Sequence, residues 1–144
     1  MADEINSPPG GGKIVSYNIL LADDTPMNLT LAVKLFTKRG HKVTAVEDGQ
    51  KALETYKKEN FDVVLLDMLM PVMDGLEAAR QIRAYEKNQN KPQVPIIAMT
   101  ANDQQSDREK CLDAGMDGFI TKPLDIKQVV PSIQKIVEEK TSPG

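Results

Sequence analysis

Nothing in this 144-residue chain approaches the ~18 consecutive apolar residues that a membrane-spanning helix needs. The first residues show no signal-peptide pattern, being acidic and then glycine-rich with no apolar run, so a secretory leader is not expected. A single cysteine, Cys111, excludes an internal disulfide framework and fits a reducing compartment. Excess positive charge is absent too: 18 Lys plus Arg stand against 21 Asp plus Glu, a net charge of −3. That balance argues against a nucleic-acid partner, which needs a basic face. No direct membrane contact is expected, and a cytoplasmic location is.

What is present fits one folded domain. Apolar residues make up 40% and charged residues 27%, so the chain can bury a core and is not expected to be disordered. Residues 1–16 read as a tail, because Ser7, Pro8, Pro9 and Gly10 to Gly12 suit a linker and not a strand or helix interior. The domain is placed at 17–140, with a frayed end at 141–144.

Within it, apolar runs alternate with helical periodicity. Strands are expected over 18–22, 42–46, 62–66, 94–99 and 118–121. Helices are expected over 26–38, 49–59, 76–85, 104–114 and 125–140, the last carrying Pro131 in its second turn. Strands 1, 3 and 4 are continuously apolar, which predicts a parallel sheet covered on both faces. Right-handed crossovers then give a doubly wound α/β fold.

Ligands of such a sheet sit beyond the carboxyl ends of its strands. Asp23 and Asp24 follow strand 1, Asp67 follows strand 3, Thr100 follows strand 4 and Lys122 follows strand 5. The fold thus predicts that three carboxylates, a hydroxyl and an ammonium meet on one rim. Crowded carboxylates repel, and a divalent cation relieves the repulsion. An all-oxygen set favours a hard ion, Mg²⁺ or Mn²⁺. With Lys122 and Thr100 available to phosphoryl oxygens, this is equipment for phosphoryl transfer. The natural nucleophile is then a carboxylate, forming an acyl phosphate.

On these residues the chain resembles a two-component response-regulator receiver domain. The matching pieces are Asp23-Asp24, Asp67, the run from Met70 through Pro71 to Asp74-Gly75, Thr100-Ala101 and Lys122-Pro123. The segments 96–102 and 107–117 further resemble receivers of hybrid sensor histidine kinases. The resemblance implies a flavodoxin-like (βα)5 sheet in the order 2-1-3-4-5, and phosphorylation of Asp67 from a phosphohistidine of a histidine kinase or histidine phosphotransfer protein. It implies Mg²⁺ bound directly by Asp24, Asp67 and the Leu69 carbonyl, with Asp23 acting through water. Lys122 and Thr100 would bind the phosphoryl group, and Phe119 would be the aromatic that follows Thr100. The Lys122–Pro123 bond would be cis.

Two side chains depart from what favours hydrolysis of the acyl phosphate. Leu69 and Asn102 occupy the positions that tune attack by water in this family, and Leu69 cannot hydrogen-bond a water. The resemblance makes the chain a switch that catalyses only its own phosphorylation and dephosphorylation. It is read as part of a hybrid histidine kinase, the alternative being a free single-domain regulator.

Other readings are weaker. An aspartyl-phosphate phosphatase of the haloacid-dehalogenase type wants a second carboxylate where Leu69 stands. A docking module that has lost phosphorylation would lack part of the acidic set. A flavin or dinucleotide site would need a glycine cradle after strand 1, where Asp23 to Met27 are acidic and glycine-free. Helix 1 carries surplus apolar residues, and Met27, Leu29 and Val33 are candidates for docking a partner helix. His41, next to Gly40, is read as a solvated turn residue and not as a metal ligand.

Overall fold

The computed structural model describes residues 16–70, 72–100, 105–122 and 126–141. Five strands alternate with five helices: β1 (Asn18–Ala22), α1 (Pro26–Lys38), β2 (Lys42–Val46), α2 (Gly49–Lys58), β3 (Val63–Asp67), α3 (Gly75–Asn88), β4 (Ile96–Thr100), α4 (Gln105–Asp113), β5 (Gly118–Thr121) and α5 (Ile126–Thr141). All pairings are parallel, in the order β2-β1-β3-β4-β5. This is the expected architecture.

Strand alternation sends side chains to two separate cores. Leu20, Val64, Leu66 and Ala98 face one way, under Ala52 and Leu53 of α2, Ala78 and Ile82 of α3 and Cys111 of α4. Ile19, Leu21, Leu65 and Met99 face the other way, under Phe36 of α1 and Val129 and Ile133 of α5. Cys111 is buried on its helix as a small hydrophobe, as expected.

Helix ends follow local chemistry. Asp48 and Asp74 cap α2 and α3, accepting hydrogen bonds from the Lys51 and Glu77 amides at 2.8 and 2.9 Å. Helix α3 runs past the expected end at residue 85. Asn90 takes a left-handed conformation (φ 56°), and the Lys91 amide donates back to the Glu86 carbonyl at 2.8 Å. Asparagine there does the work that glycine usually does at a helix end. Strand β4 starts at Ile96 and not at Val94, because Pro95 has no amide to give the ladder.

One expectation is overturned. His41 is buried, at 7% exposure. Its ring stacks on Tyr17 with centroids 5.4 Å apart, and its Nδ1 accepts a hydrogen bond from the Tyr17 amide at 3.1 Å. Proximity to Gly40 made it look like a surface turn, but the helix-ending bond from the His41 amide to the Phe36 carbonyl folds it back onto α1. Burial, helped by the Arg39 charge, lowers its pKa below 6.5. The folded state therefore disfavours the imidazolium. The stability that this contributes is present above pH 6.5 and is lost as pH falls through the lowered value. Denaturant titrations at about pH 7.5 and about pH 5.5 should show this loss, and the loss should shrink in His41→Phe, which does not titrate. An equal loss in both proteins would remove His41 as its source.

At the amino end of the sheet, Glu86 is buried at 1% exposure. Its carboxylate accepts from the Tyr56 hydroxyl (2.6 Å), the Val94 amide (2.8 Å) and Arg83 (2.8 Å). Arg83 also reaches Asp117 at 3.0 Å, which pairs in turn with Lys140 at 2.8 Å. Burial, followed by the bond to Glu86, raises the Tyr56 phenol pKa. These ties fix α2, α3, β5 and α5 at the end of the sheet away from the strand tips discussed next.

Candidate phosphoryl-transfer site

The carboxyl ends of β1, β3, β4 and β5 do bring the expected residues together. Register places Ala22 beside Leu66, Asp67 beside Met99 and Thr100 beside Thr121. Strand neighbours therefore end at nearly the same height, and the residues just beyond them share one rim. The Lys122 ammonium bridges two carboxylates, at 2.9 Å from Asp67 Oδ2 and 3.0 Å from Asp23 Oδ2. One oxygen each of Asp23, Asp24 and Asp67 can be chosen so that all three lie within 4.8 Å of one another.

Each group is held by its own backbone surroundings. Asp23 is buried, and its Oδ1 accepts from the Thr25 amide at 2.9 Å. This ties the turn that leads into Pro26, the first residue of α1. The Thr25 side chain makes no capping bond of its own. Asp67 is the last residue of β3, and its Oδ1 accepts from the Leu69 amide at 3.3 Å. Lys122 is anchored by its amide, which donates to the Thr100 carbonyl at 2.7 Å. Asp24 is exposed and Thr100 is buried.

Charge and burial compete here. Burial raises the Asp67 pKa; the bond and charge of Lys122 oppose this, Asp23 reinforces it, and the Leu69 amide opposes it. The net direction is upward. For Lys122, burial acts to lower the pKa, but bonds and charges from Asp67 and Asp23 outweigh it and hold the ammonium protonated. A rim that carries three carboxylates and one cation still has excess negative charge, which is the physical condition that a divalent ion satisfies. The donors are all oxygen, so a hard ion such as Mg²⁺ fits them.

A cavity of about 400 Å³ opens over this rim, walled by Asp24, Asp67, Thr100 and Lys122 together with Met68 and Leu69. Asp107, in the first turn of α4, completes the wall. Asp107 and Met68 are missed by reasoning from strand ends alone. The signal for Asp107 is only its place in the first turn of the helix that follows β4.

Phe119 is half-buried on β5 and packs against the core under α2 to α4. The docking candidates divide. Met27 is 78% exposed, whereas Leu29 and Val33 are half-buried and Leu29 packs on the core beneath α1. Two further apolar residues are exposed, Leu69 at 80%, which lines the cavity, and Val72 at 82%. Asn102, Pro123 and the segments 1–15 and 142–144 lie outside the described residues, so the readings made for them stay expectations.

Comparison with known proteins agrees with this geometry. The family model described as "Response regulator receiver domain" matches residues 19–134. The chain belongs to the response-regulator receiver family. Hybrid signal transduction histidine kinase I of Dictyostelium discoideum is 37% identical over 141 residues, covering 92% of this chain. The sensor protein GacS of Pseudomonas syringae is 39% identical over 117 residues, covering 81% of it. The chain spans only 8% and 13% of the length of these two relatives.

Among solved structures, this receiver resembles that of the sensor histidine kinase PA1611 from Pseudomonas aeruginosa, at 38% identity and a TM-score of 0.75, covering 85% of this chain and 98% of that one. That structure holds a magnesium ion in its active-site cleft. A chain of the yeast co-crystal of the phosphotransfer protein Ypd1 with the receiver domain of Ssk1 aligns at a TM-score of 0.83 and 25% identity, covering 90% of this chain and 95% of that one. No helix among the described residues is long and apolar enough to cross a membrane.

Proposed function

We propose that this receiver is a phosphorelay module in which Asp67 accepts a phosphoryl group from a phosphohistidine. The observation that carries the reading is Lys122 bridging Asp67 and Asp23 beside Asp24 and Thr100, at the floor of one open cavity. An Asp67 oxygen forms the new P–O bond while the P–N bond to the donor imidazole breaks, and the imidazole leaves with its electron pair. Lys122 balances charge on the phosphoryl oxygens, and Thr100 donates to one of them from the next strand tip. A magnesium ion held by Asp24, Asp67 and the Leu69 carbonyl, with Asp23 behind them, would neutralise the remaining charge; manganese suits the same donors.

The donor or acceptor is a histidine kinase or a histidine phosphotransfer protein. The names of the relatives and the Ypd1 co-crystal support that partner class. Exposed apolar side chains available to such a partner helix are Met27 on α1 and Leu69 at the cavity wall. The parent protein is read as a hybrid histidine kinase, with a free single-domain regulator as the second reading. The chain acts as a switch, catalysing its own phosphorylation and dephosphorylation.

Incubation with acetyl phosphate and Mg²⁺, read by intact mass, tests the reading. One added phosphoryl group is expected, and none when a chelator is present. Failure to gain mass under saturating donor would refute it. Followed over time, the adduct also reports on Leu69, whose side chain offers an incoming water no hydrogen bond. One such bond is worth about 0.5–1.5 kcal/mol, so Leu69→Asn should shorten the adduct's lifetime roughly two- to tenfold. Mg²⁺ affinity should be unaltered. An unchanged lifetime removes Leu69 from any tuning role.

A further inference from the structure

We infer that Arg108 is a positioning residue for the switch: its guanidinium holds the Phe119 ring on the α4 side and so favours the resting arrangement of Phe119 and Thr100. The inference rests on the receiver reading above and adds a residue to it. Arg108 Cζ lies 4.2 Å from the Phe119 ring centroid. That is well inside the ~6 Å over which a cation is attracted to an aromatic face.

Register tells which way the ring could otherwise go. Ala98 pairs with Phe119, and Thr100 pairs with Thr121. Successive side chains alternate, so Ala98, Thr100, Phe119 and Thr121 share one face of the sheet. Ala98 and Phe119 both belong to the core beneath α2 to α4, which fixes that face as the one α4 covers. Next to Phe119, then, stands the smallest of the β4 side chains, and beyond it Thr100 at the cavity wall. A Thr100 that closes on a phosphorylated Asp67 draws away from this face and leaves room beside Ala98. For the ring to enter that room it must leave the guanidinium. Arg108 therefore weights the equilibrium toward the unphosphorylated form, and its loss moves the balance the other way.

The test uses beryllofluoride, an acyl-phosphate mimic, titrated in saturating Mg²⁺ and followed by two-dimensional amide NMR. Arg108 is exposed, so R108Q keeps the fold and the chain length while removing the charge. An exposed cation–π contact corresponds to roughly a two- to fivefold factor in an equilibrium. R108Q should therefore bind the mimic about two- to fivefold more tightly than the native chain, with R108K in between. Removing a cation near an anion site weakens anion binding by charge alone. Tighter binding thus has the opposite sign to the plain electrostatic effect. In an F119L background, R108Q should change nothing further. Equal or weaker binding by R108Q overturns the inference, as does the same gain in the F119L background. If the native chain does not bind the mimic, or D67N binds it equally well, the receiver reading itself fails and takes this inference with it.

Discussion

Asp67→Asn is expected to take up no phosphoryl group from acetyl phosphate, a loss of at least about 10³-fold in rate. The amide has the shape of the carboxylate but lacks its charge, and its oxygen is a poor nucleophile. Its oxygen can still accept the 3.3 Å bond from the Leu69 amide, and Lys122 keeps its 3.0 Å partner in Asp23. Loss of chemistry without loss of fold is therefore the expected result. The stability change has a definite sign as well. Burial raises the Asp67 pKa despite Lys122, so the folded state holds an Asp67 proton more readily than the unfolded chain does. At pH values above that raised pKa, the ionised carboxylate costs stability. Without metal at neutral pH, Asp67→Asn should melt no lower than the native protein. With Mg²⁺ the order should reverse, because ion binding stabilises only the chain that keeps all three carboxylates. Thermal denaturation with and without Mg²⁺ reads both parts. A variant that still gains a phosphoryl group would show that the acceptor is another residue.

Gly75→Ala should be destabilising by up to about 2 kcal/mol although alanine is the better helix former. Gly75 opens α3 directly behind the acceptor, and its amide donates to the Met68 carbonyl at 3.2 Å. A methyl group there would run into the Asp67 carbonyl oxygen, with the Asp67 carbonyl carbon at 3.0 Å and Met68 Cα at 3.1 Å. These are backbone atoms of the acceptor's own strand end, so they cannot swing aside as a flexible side chain can. Overpacking of this kind costs about 1–3 kcal/mol. The helix-propensity gain from glycine to alanine, about 1 kcal/mol, offsets only part of it. The displaced strand end carries Asp67 with it, and misplacement near 1 Å can lower a rate by about 10²-fold. Denaturant melts and acetyl phosphate kinetics should both show the defect. Gly118→Ala is the control: its methyl would meet the Ile136 Cδ1 atom at 2.6 Å, the free end of a side chain that can rotate away. Equal losses at both positions would mean that the close approach behind Asp67 has no special role.

The same loop shows strain of its own. Val72 adopts φ 68°, a left-handed conformation that a β-branched residue adopts at a cost of roughly 1–3 kcal/mol. Two backbone bonds pin the loop around it, from Gly49 to the Met73 carbonyl at 3.0 Å and from Gly75 to the Met68 carbonyl. Met68 and Met73 are thus tied in place beside the ends of β3 and α2, while Leu69, at the cavity wall, and Val72 are left exposed.

How much of this was legible in the sequence follows from the range of each interaction. The period of apolar residues reports burial within one element, so all ten elements were readable from local pattern. Asp23, Asp24, Asp67, Thr100 and Lys122 were readable because a parallel sheet puts the residues after its strands on one rim. Helix α3's true end was not, since Asn90 acted where glycine was sought. Contacts between distant segments outside that rim lay beyond reach: His41 against Tyr17 across 24 positions and Glu86 under Tyr56 across 30. Spacing along a chain does not encode which side chain fills a given space between layers. Apolar content placed Leu29 and Met27 together as docking candidates, yet α1 turns Leu29 onto the core and leaves Met27 in water. The order of chemical groups was set by the sequence alone. The packing of α4 against β5 decided that Arg108 meets Phe119 and that Asp107 walls the cavity, because a helix's rotation on a sheet is fixed by all the side chains beneath it at once.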